Sequence, residues 1–310
     1  MQANSHAVFK KSWAAWLYLL PTIIILITFI FYPALKSVIL AFYRSNFFLG
    51  TRKFIGFGNF RNLFKGPLAP GFIQCFFQTI LFSLCVLGIG ISFSLFLAIQ
   101  ANKRIRGARI YRLLLIWPFA LSPAVAGTIF TFLFNSEIGI INEVLEKLFN
   151  LKPMWLSNPN LAFCVTVTAA VWKNLGYNIV FYLAALQNLS SEPLEAADID
   201  GASGWRKFWN IMFPLLSPTT FFLIFTNLTY SFFDSFGIID VLTKGAPMGN
   251  VPFDNAGITT TLMYKVFIDG FGGSSNMGFA AAEGTILMIL VAGFSYLHFE
   301  VFGKKVNYDV

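Results

Sequence analysis

Six stretches of this chain are long and apolar enough to leave little choice of solvent. They run about Trp13 to Tyr32, Phe72 to Ile99, Leu113 to Phe134, Leu161 to Leu186, Thr220 to Ile239 and Met277 to Phe299. Each reaches or approaches the roughly 20 apolar residues that a helix needs to cross a bilayer. Hydrocarbon cannot hydrogen-bond a peptide group, so such segments fold as helices that satisfy their own backbone. Only 12% of the 310 residues are charged and 56% are hydrophobic, whereas soluble domains carry roughly a quarter charged residues. The expected fold class is an all-α membrane protein of six transmembrane helices, one domain over residues 1–310, with both termini on the same side. The first run is too long for a cleaved signal and no small-x-small site follows it closely, so it reads as an anchor.

Lys10 and Lys11 precede the first run, and Lys103, Arg104, Arg106, Arg109 and Arg112 crowd the short link between the second and third. Positive residues favour the cytoplasmic side, which places the amino terminus inside. The opposite segment nearly balances them with Lys36, Arg44, Arg52, Lys53, Arg61 and Lys65. The formal charge of +8 is spread over links that flank apolar runs, where anionic lipid headgroups are its partner. It forms no single basic face of the kind a nucleic-acid binder presents. No GxxxxGK[ST] phosphate loop, metal cluster or nucleophile-base pair is present in the sequence, so no cofactor or metal is expected on this chain. Cys75, Cys85 and Cys164 lie in or beside the runs without paired spacing and read as small hydrophobes.

Between the fourth and fifth runs lies a polar break, about residues 188–218, that contains Glu195-Ala196-Ala197-Asp198-Ile199-Asp200-Gly201-Ala202. Pro193 suits a first helical turn, and Glu192 and Glu195 sit where the helix dipole favours negative charge. Gly201 can take the positive φ that ends a helix. Ser203 can cap a second stretch whose Trp205, Phe208, Trp209 and Met212 recur at helical spacing before Pro214 and Pro218 lead into the next run. The pattern is helix, turn, helix at a membrane face.

Glu-Ala-Ala, three residues, Gly, nine residues and Ile211-Met212-Phe213-Pro214 resemble the coupling loop of binding-protein-dependent ABC importer permeases, with Phe213 where Leu is usual. The resemblance extends along the chain through Leu20-Pro21, Tyr32-Pro33, Phe54-x-Gly56-x-x-Asn59-Phe60 and Thr243-Lys244-Gly245-Ala246-Pro247, where Ala246 replaces a Gly. Val171-Trp172-Lys173, Tyr230 to Phe236 and Thr259 to Lys265 look like the A-type permease subunits of sn-glycerol-3-phosphate importers within that family.

The resemblance implies a type I importer permease fold and a bacterial inner-membrane location. It implies four kinds of partner: a second homologous permease, two cytoplasmic ATPase subunits that use ATP and Mg, an external substrate-binding protein, and membrane lipid. It also implies that Glu195, Ala196, Ala197, Asp198, Asp200, Gly201, Ala202 and Pro214 couple the permease to the ATPase. In that role Leu194 and Ala197 would fill the ATPase cleft while Glu195 meets a basic partner.

Ionisable residues are rare inside the runs because each costs about 2.5 to 3.5 kcal/mol at mid-bilayer on insertion scales. Lys173, Asp234 and Glu283 are therefore default site candidates. Asn174, Tyr177 and Asn178 accompany Lys173 on one helical face, and Asn227, Tyr230 and Ser231 recur with Asp234 opposite a Phe-rich surface. Two such stripes suit a pathway; they equally suit hydrogen bonds between neighbouring helices. Glu283, among Ala280, Ala281, Ala282 and Gly284, reads as a helix-packing or subunit-interface carboxylate. Pro118 and Pro123 predict a kink in the third run. A neutral-sugar permease of the same family and an ion-coupled secondary transporter using Asp234 or Glu283 remain open alternatives.

Overall fold

The structure is a computed structural model that describes residues 12–46, 50–103, 107–190, 192–248, 256–272 and 276–303. Lys10, Lys11, Arg104 and Arg106, used above to orient the chain, lie outside the described residues. The first span joins α1 (Ser12–Leu26) through a π-helical turn to α2 (Tyr32–Leu40). Across Trp16–Leu40 its most apolar stretch buries nothing inside the chain. The chain then forms an antiparallel hairpin, β1 (Tyr43–Asn46) with β2 (Thr51–Phe54), in register from Tyr43 opposite Phe54 to Asn46 opposite Thr51. The short helix α3 (Gly58–Lys65) follows. Asn59, buried, donates to the carbonyls of Ala41 and Tyr43 at 2.8 and 2.9 Å and ties α3 back to the end of α2.

The second span, α4 (Ala69–Asn102), packs along α8 (Pro159–Asn188). Between them come α5 (Ala108–Ile116), a 3-10 turn at Trp117–Ala120, α6 (Pro123–Leu133) and α7 (Ile140–Phe149). Pro118 and Pro123 do more than kink the third run. Arg109–Ala120 and Pro123–Leu133 meet at 106°, because each proline occupies the first turn of a new helical segment, where its missing N–H is harmless, and Leu121 and Ser122 between them are extended. Gly176 of α8 allows the approach of α5, for a Cβ there would lie 2.5 Å from the Ile116 carbonyl oxygen.

Beyond α8 come α9 (Glu192–Ile199), α10 (Gly204–Lys207), a π-helical turn at Phe208–Met212 and α11 (Phe213–Leu215). The fifth span is α12 (Ser217–Phe233) joined at Asp234 to α13 (Ser235–Leu242); α14 (Leu262–Phe271) and α15 (Met277–Phe302) complete the chain. Gln74 and Thr79 of α4 reach the loop before α14 and the first residue of α14 by hydrogen bonds to Ala256 and Leu262 at 2.7 to 3.1 Å. The hairpin, α3 and α14 thus share one end of the bundle, and α9 to α11 lie at the other.

Among the described residues four helices are long and apolar enough to cross a membrane, or five if the bent pair is one span. The all-α membrane fold is as expected, and the count of six is not exact on this measure. The run 161–186 lies in a 30-residue helix, yet it is not among them. α8 is the central element, packed against α4, α5, α6, α12 and α13, so protein surrounds most of it and polar residues replace lipid-facing ones. Two apolar clusters fill the interior, one around α4, α8 and α13, the other around α4, α12, α14 and α15.

Candidate functional site

The two polar stripes face each other. Lys173 on α8 donates to Asp234 Oδ2 at 2.6 Å. One turn further along α8, Asn178 and Asn227 exchange amide hydrogen bonds at 3.0 and 2.6 Å, both side chains buried. Beyond them the Tyr182 hydroxyl donates to Thr220 Oγ1 at 3.1 Å. Tyr177 and Tyr230 meet edge to face, 5.7 Å between ring centroids. A ladder of polar contacts therefore joins α8 to α12 through most of its length, replacing apolar packing where an isolated polar group in hydrocarbon would be costly. Asn174 stands apart: its Oδ1 is buried with no hydrogen-bond partner among the described residues.

The ion pair lies beside the bend of the third run. Asp234 is the residue between α12 and α13. Lys173 Nζ also lies 5.4 Å from the Phe119 ring, which belongs to the 3-10 turn just before the bend at Ser122. α13 packs directly on that bend, since a Cβ on Gly237 would sit 3.0 Å from Pro123 Cβ and one on Gly127 would sit 3.0 Å from the Ile238 carbonyl oxygen. A discontinuous helix near the bilayer midplane is where transporter sites are commonly built. Tyr182, Thr220 and Phe119 were not singled out from sequence. Tyr182 continues the row 174, 178 by four residues and Thr220 precedes Asn227 by seven, so helical spacing could have found these two; Phe119 joins through the bend alone.

Glu283 is fully buried inside the chain and lies 3.5 Å from Lys265, which also pairs with Asp269 at 2.7 Å. The subunit-interface alternative is overturned, because α14 covers the face that Ala280 and Gly284 leave open; the helix-packing reading holds.

At the other end, α9 closes as the spacing predicts. Gly201 has φ +71°, and the N–H groups of Asp200, Gly201 and Ala202 bond the carbonyls of Ala196, Asp198 and Ala197 at 3.0, 3.2 and 2.9 Å. Ser203 accepts from Arg206 N–H and caps the second stretch. Asp198 and Lys207 form an ion pair across the turn. The outward surface differs from expectation. Ala197 is buried and Leu194 half-buried, packed toward the Phe208–Met212 turn, so they do not form the free face. Glu195, Ala196, Asp200 and Gly201 are exposed, Ala202 and Pro214 are half-buried, and Ile199 and Trp205 are 88% and 72% exposed. Two large apolar side chains held in water beside acidic ones are the composition of a protein-docking surface. Beneath it an apolar cavity of about 680 Å³ opens between α4 and α12, lined by Leu95, Ile99, Trp205, Phe208 and Trp209.

The bundle, its bent helices and its protruding helix-turn-helix are those of a membrane component of a solute importer. Residues 90–307 match the model of the family described as binding-protein-dependent transport system inner membrane component, and the chain belongs to that family. It is 38% identical over 99% of both chains to a protein of Pectobacterium atrosepticum named sn-glycerol-3-phosphate transport system permease protein UgpA. A protein of the same name from Rhizobium meliloti is 39% identical, covering 98% of this chain and 99% of its own. Among solved structures, a bacterial alginate ABC transporter in complex with a periplasmic protein bound to an alginate pentasaccharide superposes with a TM-score of 0.75, at 21% identity over 94% of this chain and 95% of that one. That likeness establishes the fold of an ABC importer permease. The protein is thus a multi-pass membrane component of a transport system.

Proposed function

We propose that this chain is one of two permease subunits of an ATP-driven importer for sn-glycerol-3-phosphate. The observation that carries the reading is similarity along 98 to 99% of the chain to permeases named for that solute, joined to a buried lysine beside the bend of the third run. ATP and Mg are used by two separate ATPase subunits, which grip the exposed surface of Glu195, Ala196, Ile199, Asp200 and Gly201. That end of the bundle, and both termini, are cytoplasmic; the hairpin end receives the loaded binding protein. The first span, whose most apolar stretch buries nothing inside the chain, leaves that surface for a second permease and lipid.

In this mechanism, closure of the ATPase dimer pulls α9, and the turn at Gly201 with the Asp198–Lys207 pair passes the motion to α12. The bundle then opens outward around Lys173, Asn174, Tyr177, Asn178, Asn227, Tyr230 and Asp234, which line the path. Asn178 and Asn227 bond each other in the described state, so they guard the narrow part and contact solute only when α8 and α12 separate. The test is uptake of labelled sn-glycerol-3-phosphate into proteoliposomes holding both permeases and the ATPase, with binding protein outside and ATP inside. Accumulation that needs all components is expected. Accumulation of a neutral sugar instead would reassign the solute, and accumulation without ATP would remove the ABC reading.

A further inference from the structure

Resting on that reading, we propose that Lys173 is the cation that receives the anionic group of the transported solute, and that Asp234 holds it in reserve until that anion arrives. The ion pair is asymmetric. The Lys173 side chain is 8% exposed and that of Asp234 is 34% exposed, so the carboxylate stands on the open side of a cation that protein surrounds. Asp234 also lies at the junction of α12 and α13, so its carboxylate can leave Lys173 by a change of side-chain rotamer alone. Phe119 flanks the ammonium from the neighbouring bend, and Gly237 and Gly127 bring α13 and α6 into contact there.

The chemistry of exchange follows from the burial. An ammonium inside a bilayer protein needs a counter-ion, so Asp234 leaves only when another anion takes its place. A phosphate monoester carries a charge of about −1.5 to −2 and three acceptor oxygens against one charge and two oxygens on a carboxylate. It therefore displaces Asp234, which swings toward the open path. A neutral sugar brings no counter-ion and leaves the pair closed. When the path opens inward, Asp234 recaptures Lys173 and expels the anion, which favours one direction of travel. Asn174 Oδ1, buried without a hydrogen-bond partner among the described residues one position along α8, suits a hydroxyl of the glycerol portion; an acceptor there would repel phosphate oxygens.

The experiment uses the reconstituted complex with labelled sn-glycerol-3-phosphate. The nearly isosteric pair Lys173→Gln with Asp234→Asn keeps a hydrogen bond and removes both charges. It is expected to assemble with its partners to the wild-type extent and to lose transport by about 100-fold, the order of one charge-assisted contact to phosphate. A salt bridge that only held helices together would be replaced by this neutral pair, so transport near the wild-type rate overturns the proposal. Asp234→Asn alone, at a half-exposed position, is expected to lower the solute concentration for half-maximal uptake by about tenfold and to lower the maximal rate, because the competitor that both blocks and expels the anion is gone. An unchanged or raised half-maximal concentration overturns the proposal even if the double variant fails to assemble. A wild-type complex that imports a neutral sugar and ignores glycerol phosphate overturns the function reading and this one together, whereas failure of the variants alone to behave as stated leaves the importer assignment standing.

Discussion

Gly201 offers a test in which size and backbone conformation separate. Its φ of +71° lies in the left-handed region, and a Cβ built there meets nothing within 4 Å. Replacement by alanine therefore causes no collision; what it adds is the cost of a left-handed L-residue, about 1 to 2 kcal/mol. At about 1.4 kcal/mol per tenfold, the turn that joins α9 to α10 falls in population by roughly 5- to 30-fold. The hydrogen bond from Ala202 N–H to the Ala197 carbonyl and the Asp198–Lys207 pair lose their geometry with it. Asparagine tolerates the same φ better than other side chains, so Gly201→Asn should be milder than Gly201→Ala despite its larger side chain. The assay is ATP-driven uptake in proteoliposomes, with thermal stability of the purified complex as the control. Uptake should fall in the order glycine, asparagine, alanine while stability stays within about 1 kcal/mol, because the turn is exposed and outside both apolar clusters. Wild-type uptake by the alanine variant, or a ranking by side-chain volume, would refute the reasoning.

Other consequences concern the bundle. Asn227→Ala strands the buried Asn178 amide and should destabilise the chain by about 0.6 to 1.7 kcal/mol, the range for interhelical hydrogen bonds in membranes; the midpoint of denaturant-induced unfolding in mixed micelles checks it. Gly176→Ala places a methyl 2.5 Å from the Ile116 carbonyl and should cost about 1 to 3 kcal/mol by forcing α5 from α8, read as lower yield of folded protein at unchanged expression. Lys265→Met leaves Glu283 and Asp269 without their shared cation and should cost about 3 to 5 kcal/mol. Glu283→Gln, which keeps the Lys265–Asp269 pair, should cost clearly less, and thermal melts of the two variants side by side decide it.

How far the sequence alone could reach depends on whether a feature is local. The helix-turn-helix at Glu192 to Met212 was legible because Pro193, Gly201 and Ser203 each act on their own few residues, and the structure has the turn and the cap where the spacing puts them. The apolar runs were legible for the same reason. The pairing of Lys173 with Asp234, 61 residues apart, and of Asn178 with Asn227, 49 apart, was not, because helical periodicity tells which residues share a face and says nothing of what that face meets. Pro118 and Pro123 announced a disturbance; its size, 106°, came from the extended Leu121–Ser122 link between two separately started helices. Counting apolar residues gave six runs, whereas a stricter measure of hydropathy omits α8, whose wrapping by protein lets polar residues replace lipid-facing ones. Leu194 and Ala197 were assigned outward because an apolar side chain on a surface helix looks the same in sequence whether it meets its own chain or another.

Coupling to ATP requires the surface around Ile199 to face the cytoplasm under an ATPase subunit. The most direct measurement is labelling of Ile199→Cys, at a position 88% exposed, by a membrane-impermeant maleimide, with Cys75, Cys85 and Cys164 replaced by alanine. Labelling in inside-out vesicles stripped of ATPase, protection when the ATPase subunits are added back, and none in intact spheroplasts is the predicted result. Labelling from outside the cell, or from the cytoplasmic side without protection by the ATPase, would contradict it.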